Sequence, residues 1–120
     1  MANDLGERLL SFSVNIILFL RKTENSVEAN IIKHQLIKSA TSTGANYEES
    51  QAASSKLDFT NKVKISLKEI RETNYWLKIM HKTILNNKNE KELIELIDES
   101  EQLKKILGSI CKNANENKLK

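Results

Sequence analysis

Apolar residues recur every three or four positions along most of the chain, in runs separated only by short polar segments. The plainest case lies between 93 and 111. There Leu93, Leu96, Ile97, Leu103, Leu107, Ile110 and Cys111 form one stripe at about 100° per residue, with charged side chains opposite. Such a helix lays one face on a core. Phe59, Val63, Leu67, Ile70, Asn74, Leu77 and Ile84 fall on one side in the same manner. The first apolar segment differs, because Leu5, Leu9, Phe12, Ile16 and Phe19 make one stripe while Leu10, Val14 and Ile17 make another on a different side. One core does not easily cover both.

Four helix starts are legible. Asp4 with Glu7, Asn25 with Glu28, Ser55 with Asp58 and Asn89 with Glu92 each set a small polar side chain three residues before an acid. The oxygen of the first residue can accept from an early backbone N–H, and the acid suits both the remaining free N–H groups and the positive end of the helix. Helices over 4–22, 26–54, 57–86 and 90–114 follow. The links "KTENS", "SSK" and "NNKN" are short and polar, which sets consecutive helices antiparallel. The expected fold is all-α: an antiparallel up-down-up-down four-helix bundle, one domain over 1–114 with a frayed tail over 115–120.

Composition supports long helices, since the 120 residues include no proline and three glycines and 29% are charged. Cys111 is the single cysteine and no Asn-x-Ser/Thr acceptor occurs. Nothing here argues for secretion, and the expected compartment is the reducing cytoplasm. The apolar run "LLSFSVNIILFL" at 9–20 is shorter than the roughly 20 residues of a membrane span, and no small-residue cleavage site follows it. It reads as a buried helix, with no membrane partner. The net charge of +3 is unevenly spread: residues 90–101 carry six acids and one lysine, while the first 89 residues carry 13 basic and 9 acidic side chains.

The helix over 57–86 carries two further faces. Lys64, Lys68, Arg71, Tyr75, Lys78 and Lys82 recur at spacings of three or four, about a quarter turn from the core side. They make a basic stripe with one aromatic in it. Ile65, Glu72, Trp76 and Ile79 lie on the side remote from the core. With Leu10, Val14 and Ile17 of the first helix, the apolar members Ile65, Trp76 and Ile79 form a candidate subunit interface. The alternative is that the fourth helix or a loop covers this patch within one chain. The helix over 26–54 has an expected core face of Ile32, Leu36, Ser39, Thr43, Asn46, Tyr47, Ser50 and Ala53, half of it polar or small, with Gly44 nearby. Close packing around a buried polar layer, Asn46 bonded to Asn74 or Thr73, accounts for it and would fix which helices pair; a ligand site is the sharper alternative.

Catalytic and metal chemistry find no matching pattern. A carboxylate-bridged metal pair needs Glu-x-x-His on facing helices, and neither His34 nor His81 has a glutamate three residues before it. Zinc spacing is absent. "STGAN" at 42–46 lacks the GxxxxGK[ST] arrangement that cradles phosphate. Cys111 has no neighbouring histidine or arginine to activate it, and Glu48, Glu49, Glu69 and Glu72 read as acids on solvated faces. The basic stripe remains: five cations over roughly 27 Å of helix can follow a nucleic-acid backbone, and Tyr75 can stack on a base. An ordinary solvated face is the alternative, and repetition in a symmetric oligomer would favour binding.

"QLIKSATSTGANYEESQAASSKLDFTNKVKISLKEIRETNYWLKIM" (35–80) resembles the 23S rRNA intervening-sequence protein family of bacterial four-helix bundles, most specifically through "GANYEE" and "KEIRETNYWL". "RLLSFSVNIILFLRK" (8–22) is similar to that family's opening helix, and the likeness fades through the fourth. The resemblance implies a ring-like homo-oligomer, typically a homopentamer, whose gene is sometimes carried inside an rRNA intervening sequence. It further implies kinship with the accessory variability determinant of diversity-generating retroelements, a pentameric basic bundle that binds RNA and a reverse transcriptase. The chain departs from the family where "KTENS" lacks a frequent proline and where Ala40 replaces a common glycine. No reaction is established for the family, so no catalytic residue carries over and no cofactor or metal is expected. The expectation is a non-enzymatic homo-oligomer that binds RNA or DNA through a repeated basic surface. The alternative is a structural or adaptor protein with a protein partner.

Overall fold

The computed structural model describes residues 4–83 and 87–119. Four α-helices, α1 Asp4–Leu20, α2 Val27–Gln51, α3 Lys56–Thr83 and α4 Glu90–Leu119, follow one another, with a 3-10 turn at Asn87–Asn89 and no strand among the described residues. All-α is thus the fold class. The helix starts obey local chemistry. At α2 the cap is Ser26, one residue later than expected, in an extended conformation with its hydroxyl accepting from the Ala29 N–H at 3.0 Å. Asn25 instead accepts from Lys33 Nζ. At α3 the Ser55 hydroxyl accepts from the Asp58 N–H at 3.0 Å and the Asp58 carboxylate accepts from the Ser54 N–H at 3.1 Å, so two otherwise free donors are satisfied. Asn89 does not cap: its side chain donates to the Lys22 carbonyl at 3.4 Å, tying the approach to α4 to the end of α1.

The expected last turn of the third helix, with Ile84, falls at 84–86, outside the described residues. The tail expected to fray from 115 is helical as far as Leu119, since nothing in "NANENKL" forces a helix to stop.

Leu9, Phe12 and Ile16 of α1, Leu36 of α2, Val63, Ile70, Leu77 and Met80 of α3, and Leu103 and Leu107 of α4 are all buried in one cluster. Burying such a side chain contributes roughly 1.5–3 kcal/mol each, so this cluster holds the four helices together. Each helix lies alongside the next and α4 also lies alongside α1, while the backbones of α1 and α3, and of α2 and α4, stay diagonal to each other among the described residues. Polar pairs set the register. Ser13 donates to the Ala40 carbonyl (3.1 Å), Thr73 to the Ser39 hydroxyl (2.8 Å), Ser66 to the Thr43 carbonyl (2.6 Å), and Asn74 to the Ser100 hydroxyl (2.8 Å). Arg8 reaches Glu99 with two nitrogens, at 2.7 and 2.6 Å.

Candidate nucleic-acid interface

The basic stripe exists as a surface. Lys64, Lys68, Arg71, Tyr75, Lys78 and Lys82 are all exposed on α3, because α2 and α4 flank this helix on either side and leave its outer arc open. Their pairing is uneven. Lys78 bonds Glu101 of α4 at 3.0 Å, and Glu101 also takes Lys104 at 3.1 Å. These two lysines, with help from Asn74 and against a small opposing effect of burial, hold the Glu101 carboxyl at about 2. Lys64, Lys68, Arg71 and Lys82 form no ion pair among the described residues. Four of the five cations are therefore without an ion-pair partner among the described residues.

One further cation, Lys38, acts near this helix. It comes from α2, yet lies near enough to Glu69 to act on it together with Lys68. Burial and the neighbouring Glu72 nonetheless raise the Glu69 carboxyl above its usual range. No periodicity within α3 could have revealed a cation on α2. The charge is different where α1 meets α4: Glu7, Glu92, Glu95 and Glu99 line that groove with Arg8 and Lys22, Glu92 pairing with Lys22 and Glu99 with Arg8.

The candidate interface residues fall into three situations, and the expectation that Trp76 and Ile79 face away from the core needs correction. Both are half-buried and packed against the core cluster. The reason is that α3 has two neighbours, so its apolar arc is wider than one stripe; Thr73 and Met80, three residues before and four after Trp76, are buried. Trp76 is further fixed by its indole N–H, which donates to Glu72 at 3.2 Å, and by Tyr75, whose ring stands 5.5 Å away at 69°. Ile65 remains 40% exposed. On α1, Leu10 and Val14 are exposed at 60% and 45% while Ile17 is half-buried. Leu18, at 48%, extends this ridge and was missed, although its place four residues after Val14 signals it.

The buried polar layer is present with different partners. Thr73 bonds Ser39 and Asn74 bonds Ser100, but Asn46 turns back to the Ser42 carbonyl of its own helix at 2.9 Å. Ser39 and Ser100 are short enough to sit between helices, whereas Asn46 lies at the half-buried margin of α2. Every buried side-chain nitrogen and oxygen among the described residues has a partner, which leaves none aimed at a ligand. His34 and His81 are exposed. Among the described residues no three His, Cys, Asp or Glu side chains are grouped to hold a metal ion, and no helix is long and apolar enough to cross a membrane.

Comparison with known proteins agrees with this architecture. A solved structure from Bacteroides thetaiotaomicron, of a protein with unknown function from the S23 ribosomal protein family, is 32% identical with a TM-score of 0.76, over 90% of this chain and 98% of that one. No curated protein is significantly similar. The model of the 23S rRNA-intervening sequence protein family matches residues 4–109, a likeness that runs through α1, α2 and α3 and ends within α4. On that match the chain belongs to the 23S rRNA-intervening sequence protein family.

Proposed function

We propose that this chain is a non-enzymatic, cytoplasmic homo-oligomer that binds RNA or other nucleic acid through the outer face of α3. The observation that carries this is the set of four unpaired cations, Lys64, Lys68, Arg71 and Lys82, on one exposed face. They span roughly 27 Å at 1.5 Å per residue. Phosphates would displace counterions along this face, giving binding that is sensitive to salt and tolerant of sequence. The bundle is read as up-down-up-down, in support of which partner numbers fall along one helix as they rise along its neighbour: 9 with 44 and 13 with 40 for α1 and α2, 39 with 73 and 43 with 66 for α2 and α3.

The oligomer is read as a ring, pentameric by the family likeness. Its supports are an exposed apolar ridge on α1 and the exposed Ile65 on α3. The backbones of these two helices do not run alongside each other within one chain, so one copy's α1 ridge can meet the next copy's α3 flank, and head-to-tail contacts of this kind give a ring where the rotation between copies closes. The same α1 ridge favours the second reading, an adaptor for another protein.

The test is fluorescence anisotropy of a structured RNA at two salt concentrations, with wild type beside a variant carrying Lys64, Lys68, Arg71 and Lys82 changed to Glu. The variant's oligomer mass is first shown to be unchanged. Binding by wild type that weakens steeply with salt and is lost in the variant is the expected result. Absent binding would refute the nucleic-acid function and favour the adaptor, and equal binding by both would refute the outer face of α3 as the binding site.

A further inference from the structure

Tyr75 stands at the middle of the basic face, 60% exposed. Arg71 precedes it by four residues and Lys78 follows by three, with Lys68 and Lys82 seven away on either side, or roughly 10 Å along the helix in each direction. Its ring is braced. Trp76 meets it edge-on at a centroid distance of 5.5 Å, and Trp76 is itself held by the core and by Glu72. Tyr75 thus presents an aromatic surface of restricted orientation between cations, three of which, Lys68, Arg71 and Lys82, have no ion-pair partner among the described residues.

A stripe of cations alone would serve a duplex and a single strand alike, because both offer phosphates. The tyrosine distinguishes them. In a duplex the base faces are covered by their neighbours, whereas the bases of loops, bulges and ends can splay out onto an aromatic ring. We propose that this face takes a single-stranded segment, with one unpaired base stacked on Tyr75 and the flanking phosphates on Arg71, Lys68 and Lys82. This rests on the nucleic-acid function above and specifies its ligand. Every base has a π-face, so the stacking adds affinity without selecting a sequence.

The full chain is titrated with a labelled single strand of about 12 nucleotides, within the site sizes such surfaces occupy, and with the same sequence as a blunt duplex. Tyr75→Ala and Tyr75→Phe are compared with wild type once their helicity and oligomer mass are shown to match. Tyr75→Ala should weaken single-strand binding by about 5- to 150-fold; Tyr75→Phe keeps the ring and should retain that affinity, and the duplex should not distinguish the three proteins. Trp76, the only tryptophan, gives a second readout, since its fluorescence should change when the single strand binds. Single-strand affinity unaltered by Tyr75→Ala would overturn the stacking site while leaving the electrostatic function standing. Failure of wild type to bind either form would overturn both.

Discussion

Glu101 shows how one carboxylate can edit a charged surface. It accepts from Lys78 and Lys104, and its pKa falls from the ordinary 4.5 to about 2. The folded chain thus keeps Glu101 ionised where the unfolded chain would protonate it. Its stabilising contribution is complete above the unfolded value and is lost as pH falls toward about 2. The group is partly open to solvent, so water and salt screen the pair and its share of stability is small. The titration itself is the cleaner test: NMR of the Glu101 side chain should give a midpoint well below the ordinary range, and Lys78→Ala should raise it. A midpoint that does not respond to that substitution would mean that the pair is absent in solution. If the pair forms, Lys78 is the member of the basic stripe with the least charge to offer a partner.

Among the helices, α2 is the least obviously amphipathic, and its polar core face is explained by its neighbours. Ser13 of α1 bonds its Ala40 carbonyl, and Thr73 and Ser66 of α3 bond Ser39 and the Thr43 carbonyl. A hydroxyl at such a seam is retained because each buried polar group finds a partner, and removing one partner would leave the other unpaired at a cost of about 1–3 kcal/mol. Gly44 faces Leu9 without being indispensable: a methyl there would sit 3.7 Å from the Leu9 side chain, an ordinary contact. Gly108 is freer still. Nothing lies within 4 Å of where its Cβ would be, and its backbone is helical with no positive φ. Gly108→Ala should therefore stabilise the fold by about 0.5–1 kcal/mol, because alanine loses less chain entropy on folding. Thermal unfolding followed by circular dichroism would show a melting temperature a few degrees higher; no rise, or a fall, would contradict this placement.

The molecule measures 50 × 27 × 19 Å, a slim bundle whose helices each meet two others. Such a shape leaves every helix with an outer arc. On α3 that arc is basic, while on α1 it is apolar, with Leu10, Val14 and Leu18 exposed at successive four-residue steps. An apolar ridge of this kind is usually covered by another surface. Light scattering should therefore give a mass several times that of one chain at micromolar concentration, and Leu10→Glu with Val14→Glu should reduce it toward one chain without loss of helicity. A wild-type protein already at the mass of one chain would refute homo-oligomerisation and leave the ridge to another protein.

The amino-acid order alone determined the four helices, two of their caps to within a residue, the core stripe of each and the existence of a basic face, because all of these follow from spacing within one helix. Only the tertiary structure decided that Trp76 and Ile79 lean on the core, that Glu101 holds Lys78, that Lys38 of α2 acts on Glu69 of α3, and that Asn46 turns back to its own helix. Each of these depends on which helix lies alongside and at what register. A pattern of 3.6 residues per turn specifies the direction a side chain leaves its own axis, but not what stands opposite it.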